Sequence, residues 1–116
     1  MNFAEIQNRL RAFAQERDWE QFHTPKNLAM AISGEAGELI EHFQWLTQTE
    51  SESLSATVKH EVALEMADIM LYVLRLCDVL QVNPEEAIEQ KLIINEQKYP
   101  VSLSKGNAKK YNRRND

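Results

Sequence analysis

The chain has 116 residues, 43% of them hydrophobic and 27% charged, a length and balance that suit one compact domain with a small core. Its net charge of −5 at pH 7 argues against a nucleic-acid binder, which would need a basic face, and its single cysteine, Cys77, excludes an internal disulfide and fits a reducing compartment. No apolar run is long enough to span a bilayer and the first residues lack a signal-peptide pattern, so a soluble, cytoplasmic protein without a membrane or nucleic-acid partner is expected.

Three glycines, three prolines, no β-rich runs and long helical periodicity predict an all-α fold with a four-helix core. Phe3, Ile6, Leu10 and Phe13 repeat at three- and four-residue spacing and predict a first helix from about Phe3 to Arg17. Asp18 to Pro25 breaks the pattern, with Thr24 as N-cap and Pro25 opening the next helix. Trp19 and Phe22 in that connection either plug the end of the bundle or stack against a ligand base.

The second helix is expected from Pro25 to Trp45 or Leu46, with Leu28, Ile32, Leu39, Phe43 and Leu46 in one apolar stripe. Gly34 and Gly37 each cost about 1 kcal/mol of helix propensity relative to alanine, and the close approach of a neighbouring helix or ligand would explain them. Thr47 to Ser55 reads as a polar surface loop. The third and longest helix is expected from Ser55 to Leu80, its stripe formed by Val58, Val62, Ile69, Val73, Leu76 and Leu80, with Cys77 packed near that face. Asn83-Pro84-Glu85-Glu86 is a strong helix start, and the fourth helix runs to about Lys98 before Pro100. Its Lys91, Asn95 and Lys98 form a polar line that is either solvated or meets phosphate. From Val101 to Asp116 an irregular basic tail follows. Its segment from Ser104 to Tyr111 sets small residues between bases, and it is either solvated or folds over a phosphate.

The chemistry lies in two acid pairs. Glu35 and Glu38 sit at the edge of the second helix's apolar stripe, and Glu65 and Asp68 repeat the relation on the third. Carboxylates held beside a core repel one another and are costly unless a cation joins them, and Mg²⁺ or Mn²⁺ prefers such oxygen donors. Glu61 is a further acid on that face, expected to be solvated.

Glu35-x-x-Glu38 followed one helix later by Glu65-x-x-Asp68 resembles the signature of the MazG-like all-α nucleoside triphosphate pyrophosphohydrolases. The strings Glu16 to His23, Phe43-Gln44-Trp45, Lys98 to Val101 and Ser104 to Tyr111 resemble the dCTP pyrophosphatase branch. The resemblance implies that Glu35, Glu38, Glu65 and Asp68 are the catalytic metal ligands and that Trp19, His23, Trp45 and Tyr72 border the base. It also implies that Lys91 and Asn95 assist the triphosphate, and Lys109 and Tyr111 of the tail segment are further candidate substrate contacts. The bundle is expected to be completed by oligomerisation, as a homodimer or homotetramer. The expected reaction is attack of water at the α-phosphorus of dCTP or a modified dCTP, releasing pyrophosphate, with Mg²⁺ neutralising the polyanion in an acidic site. The first helix carries no histidine where some relatives have one near the base, which leaves dUTP or another nucleotide as the alternative substrate. A noncatalytic oligomerisation module accounts for the helices but not for acids at core edges. A di-iron carboxylate bundle needs paired Glu-x-x-His motifs, and only Glu20 and His23 have that spacing.

Overall fold

A computed structural model describes residues 1–114 and contains six α-helices, with no strand among the described residues. These are α1 (Phe3–Glu16), α2 (Pro25–Glu41), α3 (Gln48–Ser51), α4 (Ala56–Leu80), α5 (Pro84–Lys98) and α6 (Val101–Ser104). None of them is long and apolar enough to cross a membrane. The fold class is all-α, as the periodicity implies. Contacts gather into two units, Met1–Val82 and Asn83–Asp116.

Each long helix begins on a side chain that accepts an otherwise orphaned backbone N–H. Asn2, Thr24, Ser55 and Asn83 cap the N–H groups of Glu5, Asn27, Val58 and Glu86, and Pro25 and Pro84 occupy first-turn positions where no N–H is needed. At its far end α4 stops on Gln81 in the left-handed region (φ 60°), whose N–H bonds back to the carbonyls of Asp78 and Cys77.

Two segments depart from the sequence reading. The second helix ends at Glu41, not at Trp45 or Leu46, and residues 42–46 form turns closed by the N–H groups of Phe43 and Gln44 on the Ile40 carbonyl. The cause lies just downstream, where Thr47 and Glu50 form a reciprocal capping box that starts α3 inside the stretch expected to be a loop. A new helix start so close by requires the chain to turn first.

In the first unit α4 packs against both α2 and α1. Ala14, Leu28, Val62 and Leu74 are the buried apolar residues among the described ones. Polar ties add to this seam: the Gln7 side-chain amide donates to the Leu74 carbonyl at 3.0 Å, and Arg11 grips Asp78 with two N–H groups at 2.6 and 3.1 Å. Gly34 and Gly37 face open space, with nothing within 4 Å of an added Cβ, so no other helix of the first unit approaches them closely. The close-approach explanation for these glycines is thereby corrected as far as the helices of the first unit go.

In the second unit α5 is followed by α6 and a 3-10 turn at Tyr111–Arg113, so the tail is more ordered than its composition implies. Gly106 sits at φ 82°, a conformation that side chains resist, and lets the chain turn after α6. Tyr99 and Tyr111 then meet edge to face at 6.2 Å, and the Tyr111 N–H donates to the Tyr99 hydroxyl at 3.3 Å. The expected tail extends to Asp116, and its last two residues lie outside the described ones.

Candidate metal and nucleotide site

α2 and α4 bring their acid pairs together because they pack side by side and carry the acids at matching edges of their buried stripes. Carboxylate oxygens of Glu35, Glu38 and Glu65 all lie within 4.8 Å of one another. Asp68 is close enough to raise the Glu35 pKa by charge but stands outside that tight trio. Within the cluster one oxygen of Glu35 (Oε2) and one of Glu65 (Oε2) are cut off from solvent and have no hydrogen-bond partner.

Loss of solvent at Glu35, followed by the charges of Glu38, Asp68 and Glu65 and a hydrogen bond with Glu38, pushes its pKa up to about 7. Such an arrangement is complete only when a proton or a cation enters it. Buried, unpartnered carboxylate oxygens supplied by two helices match the donor set of a hard divalent ion, so the residues present fit Mg²⁺ or Mn²⁺.

His42 was not among the expected site residues, although its position four residues after Glu38 signals proximity. Its Nδ1 lies 3.9 Å from Glu61 Oε2 and its Nε2 3.9 Å from Glu65 Oε1. Glu61 is about half exposed, in keeping with the solvated role expected for it. His42 also lines a cleft of about 480 Å³, together with Leu46, Thr49, Glu50, Ser53, Leu54, Ser55 and Val58. None of the four candidate acids lines it.

The remaining candidates are distributed as follows. Trp19 packs edge to face on Phe13 at 5.7 Å, which supports the plug reading for one side of the indole while 44% of the residue remains exposed. Trp45 stands in the turn after α2 and is 87% exposed. Tyr72 is half-buried on α4, one turn beyond Asp68. His23 is half-buried and accepts at Nδ1 from Arg75 Nε, 3.1 Å away. It joins no group of three metal-ligating side chains among the described residues, so the Glu20/His23 spacing builds no di-iron motif. In the second unit Lys91 and Asn95 are exposed on α5, Lys98 lies over the Tyr111 ring at 4.6 Å, and the Lys109 N–H is held by Asn107. Arg75, absent from the sequence reading, is the one buried charged side chain among the described residues.

The family model for the MazG-like family matches residues 30–113, a span that contains both acid pairs. The chain belongs to the MazG-like family. This member is 46% identical over 101 residues to dCTP pyrophosphatase 1 of Mus musculus, and 42% identical over 101 residues to that of Homo sapiens. In both cases the alignment takes in 85% of this chain and 59% of the relative, so the MazG-like chain spans less than two thirds of the curated relatives it matches. A solved pyrophosphatase from Archaeoglobus fulgidus is 46% identical and superposes with a TM-score of 0.75, covering 84% of this chain and 91% of that one.

Proposed function

We propose that this chain is a single MazG-like domain that hydrolyses a nucleoside triphosphate to the monophosphate and pyrophosphate, with dCTP or a modified dCTP as substrate and control or sanitation of the nucleotide pool as its role. The observation that carries the reading is the pair of unpartnered buried oxygens on Glu35 and Glu65, contributed by two helices to one acidic cluster. The names of the relatives, dCTP pyrophosphatase and pyrophosphatase, support the reaction and the base.

In this reading Glu35, Glu38, Glu65 and Asp68 hold Mg²⁺, with Mn²⁺ as a substitute. The bound ion supplies charge neutralisation for the triphosphate and Lewis acidity at its oxygens. Water adds to the α-phosphorus, the bond from that phosphorus to the bridging oxygen breaks, and pyrophosphate leaves with the electron pair. A carboxylate of the cluster takes the proton of the attacking water. Trp19, His23, Trp45 and Tyr72 border the base, the indoles by stacking, which accepts any base until edge hydrogen bonds are added. Lys91, Asn95, Lys109 and Tyr111 serve the phosphates, and the active form is a homodimer or homotetramer. Support for self-association comes from the large apolar side chains left open along α4, among them Leu64, Met66, Met70 and Leu71.

The test is a panel of ribo- and deoxynucleoside triphosphates with Mg²⁺, assayed for pyrophosphate and monophosphate. Turnover of dCTP above the rest is the expected result. A dUTP preference would retain the reaction and replace the substrate, and inactivity across the panel would favour a noncatalytic helical module.

A further inference from the structure

Arg75 stands apart from the acid cluster and is explained by none of the chemistry above. Its exposure is 7%, and a guanidinium taken out of water is costly unless its donors are used. Two of them are. Nε donates to His23 Nδ1 at 3.1 Å and Nη1 to Asp78 Oδ2 at 3.1 Å, while Arg11 holds the same carboxylate from α1. One planar fork therefore joins α4 to the segment before α2, and its own orientation is fixed from a third direction.

The hydrogen bond to Nδ1 has a chemical consequence. A guanidinium only donates, so the imidazole nitrogen facing it must accept, and the single proton of a neutral ring is left on Nε2. Burial and the Arg75 charge, against a smaller opposing effect of Glu20, also lower the His23 pKa below its ordinary value, which keeps the ring neutral at pH 7. Nε2 makes no hydrogen bond among the described residues and is not among the buried unpartnered atoms, so its N–H is open to a ligand.

Position supplies the second half. Glu65, Asp68, Tyr72 and Arg75 fall within an arc of about 80° on α4, at roughly 100° per residue. Arg75 lies seven residues beyond Asp68, about 10 Å along the axis at the α-helical rise. A nucleotide that has its phosphates at the acids and runs toward the C-terminal end of α4 brings its base to the Arg75 end.

We propose that Arg75 is a positioning residue that holds His23 as the Nε2–H tautomer, so that His23 presents a hydrogen-bond donor to an acceptor on the edge of the bound base. The inference rests on the proposed nucleotide hydrolysis, and it adds selection for a base with a carbonyl or ring-nitrogen acceptor at that edge. Arg75 itself touches neither phosphate nor base.

Heteronuclear NMR of the imidazole ring nitrogens reads the tautomer without any nucleotide, with the His23 signals assigned by their loss in His23→Gln. The expected wild-type spectrum has the His23 proton on Nε2. In Arg75→Lys one ammonium nitrogen cannot serve His23 and Asp78 in the two directions the fork does. The tautomers are then expected to mix, and KM for the preferred nucleotide to rise about three- to tenfold with kcat retained, the loss of one well-placed hydrogen bond. In a His23→Gln background, whose amide donates without help, Arg75→Lys adds no further rise in KM. A wild-type proton on Nδ1 overturns the proposal even if Arg75→Lys fails to fold, and so does a tautomer shift with unchanged KM. If the wild type turns over no nucleotide, the proposed function fails and the base-directed half of this inference fails with it, while the spectrum alone decides whether Arg75 sets the tautomer.

Discussion

Glu35 concentrates the electrostatic tension of the molecule: three acids surround it, one of its oxygens has no partner, and its pKa is pushed up to about 7. A divalent cation relieves all of these together, so adding Mg²⁺ is expected to raise the melting midpoint of the wild type, measured calorimetrically, and to raise it far less in Glu38→Ala. Glu38→Ala and Asp68→Ala are each expected to abolish turnover while circular dichroism shows the helices intact, because both residues are exposed. Retained activity in both variants would contradict the assignment of the acids. Asp78 has the opposite character. The hydrogen bond from Arg11, with the charges of Arg11 and Arg75, holds its pKa below the usual carboxylate value. Its contribution to stability is thus complete above about pH 4 and is lost as pH falls through the lowered value. Asp78→Asn is expected to cost roughly 2–3 kcal/mol at neutral pH and to flatten the acid limb of stability in urea titrations at stepped pH.

At the scale of the helices, the caps show how far local chemistry reaches. Thr24 and Asn83 are recognisable as starts because a short polar side chain before a periodic run has one favourable use, and Asn2 and Ser55 serve the other two long helices in the same way. The acid pairs are legible for the same reason, since spacing on a helix fixes the face. The end of α2 was not legible, because the capping box that ends the run belongs to the next element. The contact between Arg75 and His23 was not legible either, as it depends on how the connection after α1 folds back onto α4, which no periodicity encodes. Gly34 and Gly37 yield a prediction at this scale. With open space around each, Gly34→Ala and Gly37→Ala are expected to stabilise α2 by up to about 1 kcal/mol each, read from chemical denaturation. Destabilisation would mean that a surface from outside the first unit lies against those positions.

For the whole molecule, a core of four buried apolar residues among those described is thin for a chain of this length. Met30, Ile40, Leu64 and Met70 are each more than half exposed, and none has an evident role in a single copy. Sedimentation velocity at micromolar concentration is expected to give a dimer or larger species, and Leu64→Glu with Met70→Glu to shift it toward the monomer. A monomeric wild type would remove the argument from apolar exposure. The two tryptophans also differ in a way that can be put to use. Trp19 is partly shielded by Phe13, whereas Trp45 is bathed in water, so the intrinsic emission of the protein is a sum of a sheltered and a wet fluorophore. Any event that dries Trp45 moves the red edge of that spectrum, giving the molecule an optical reporter of that surface that requires no label.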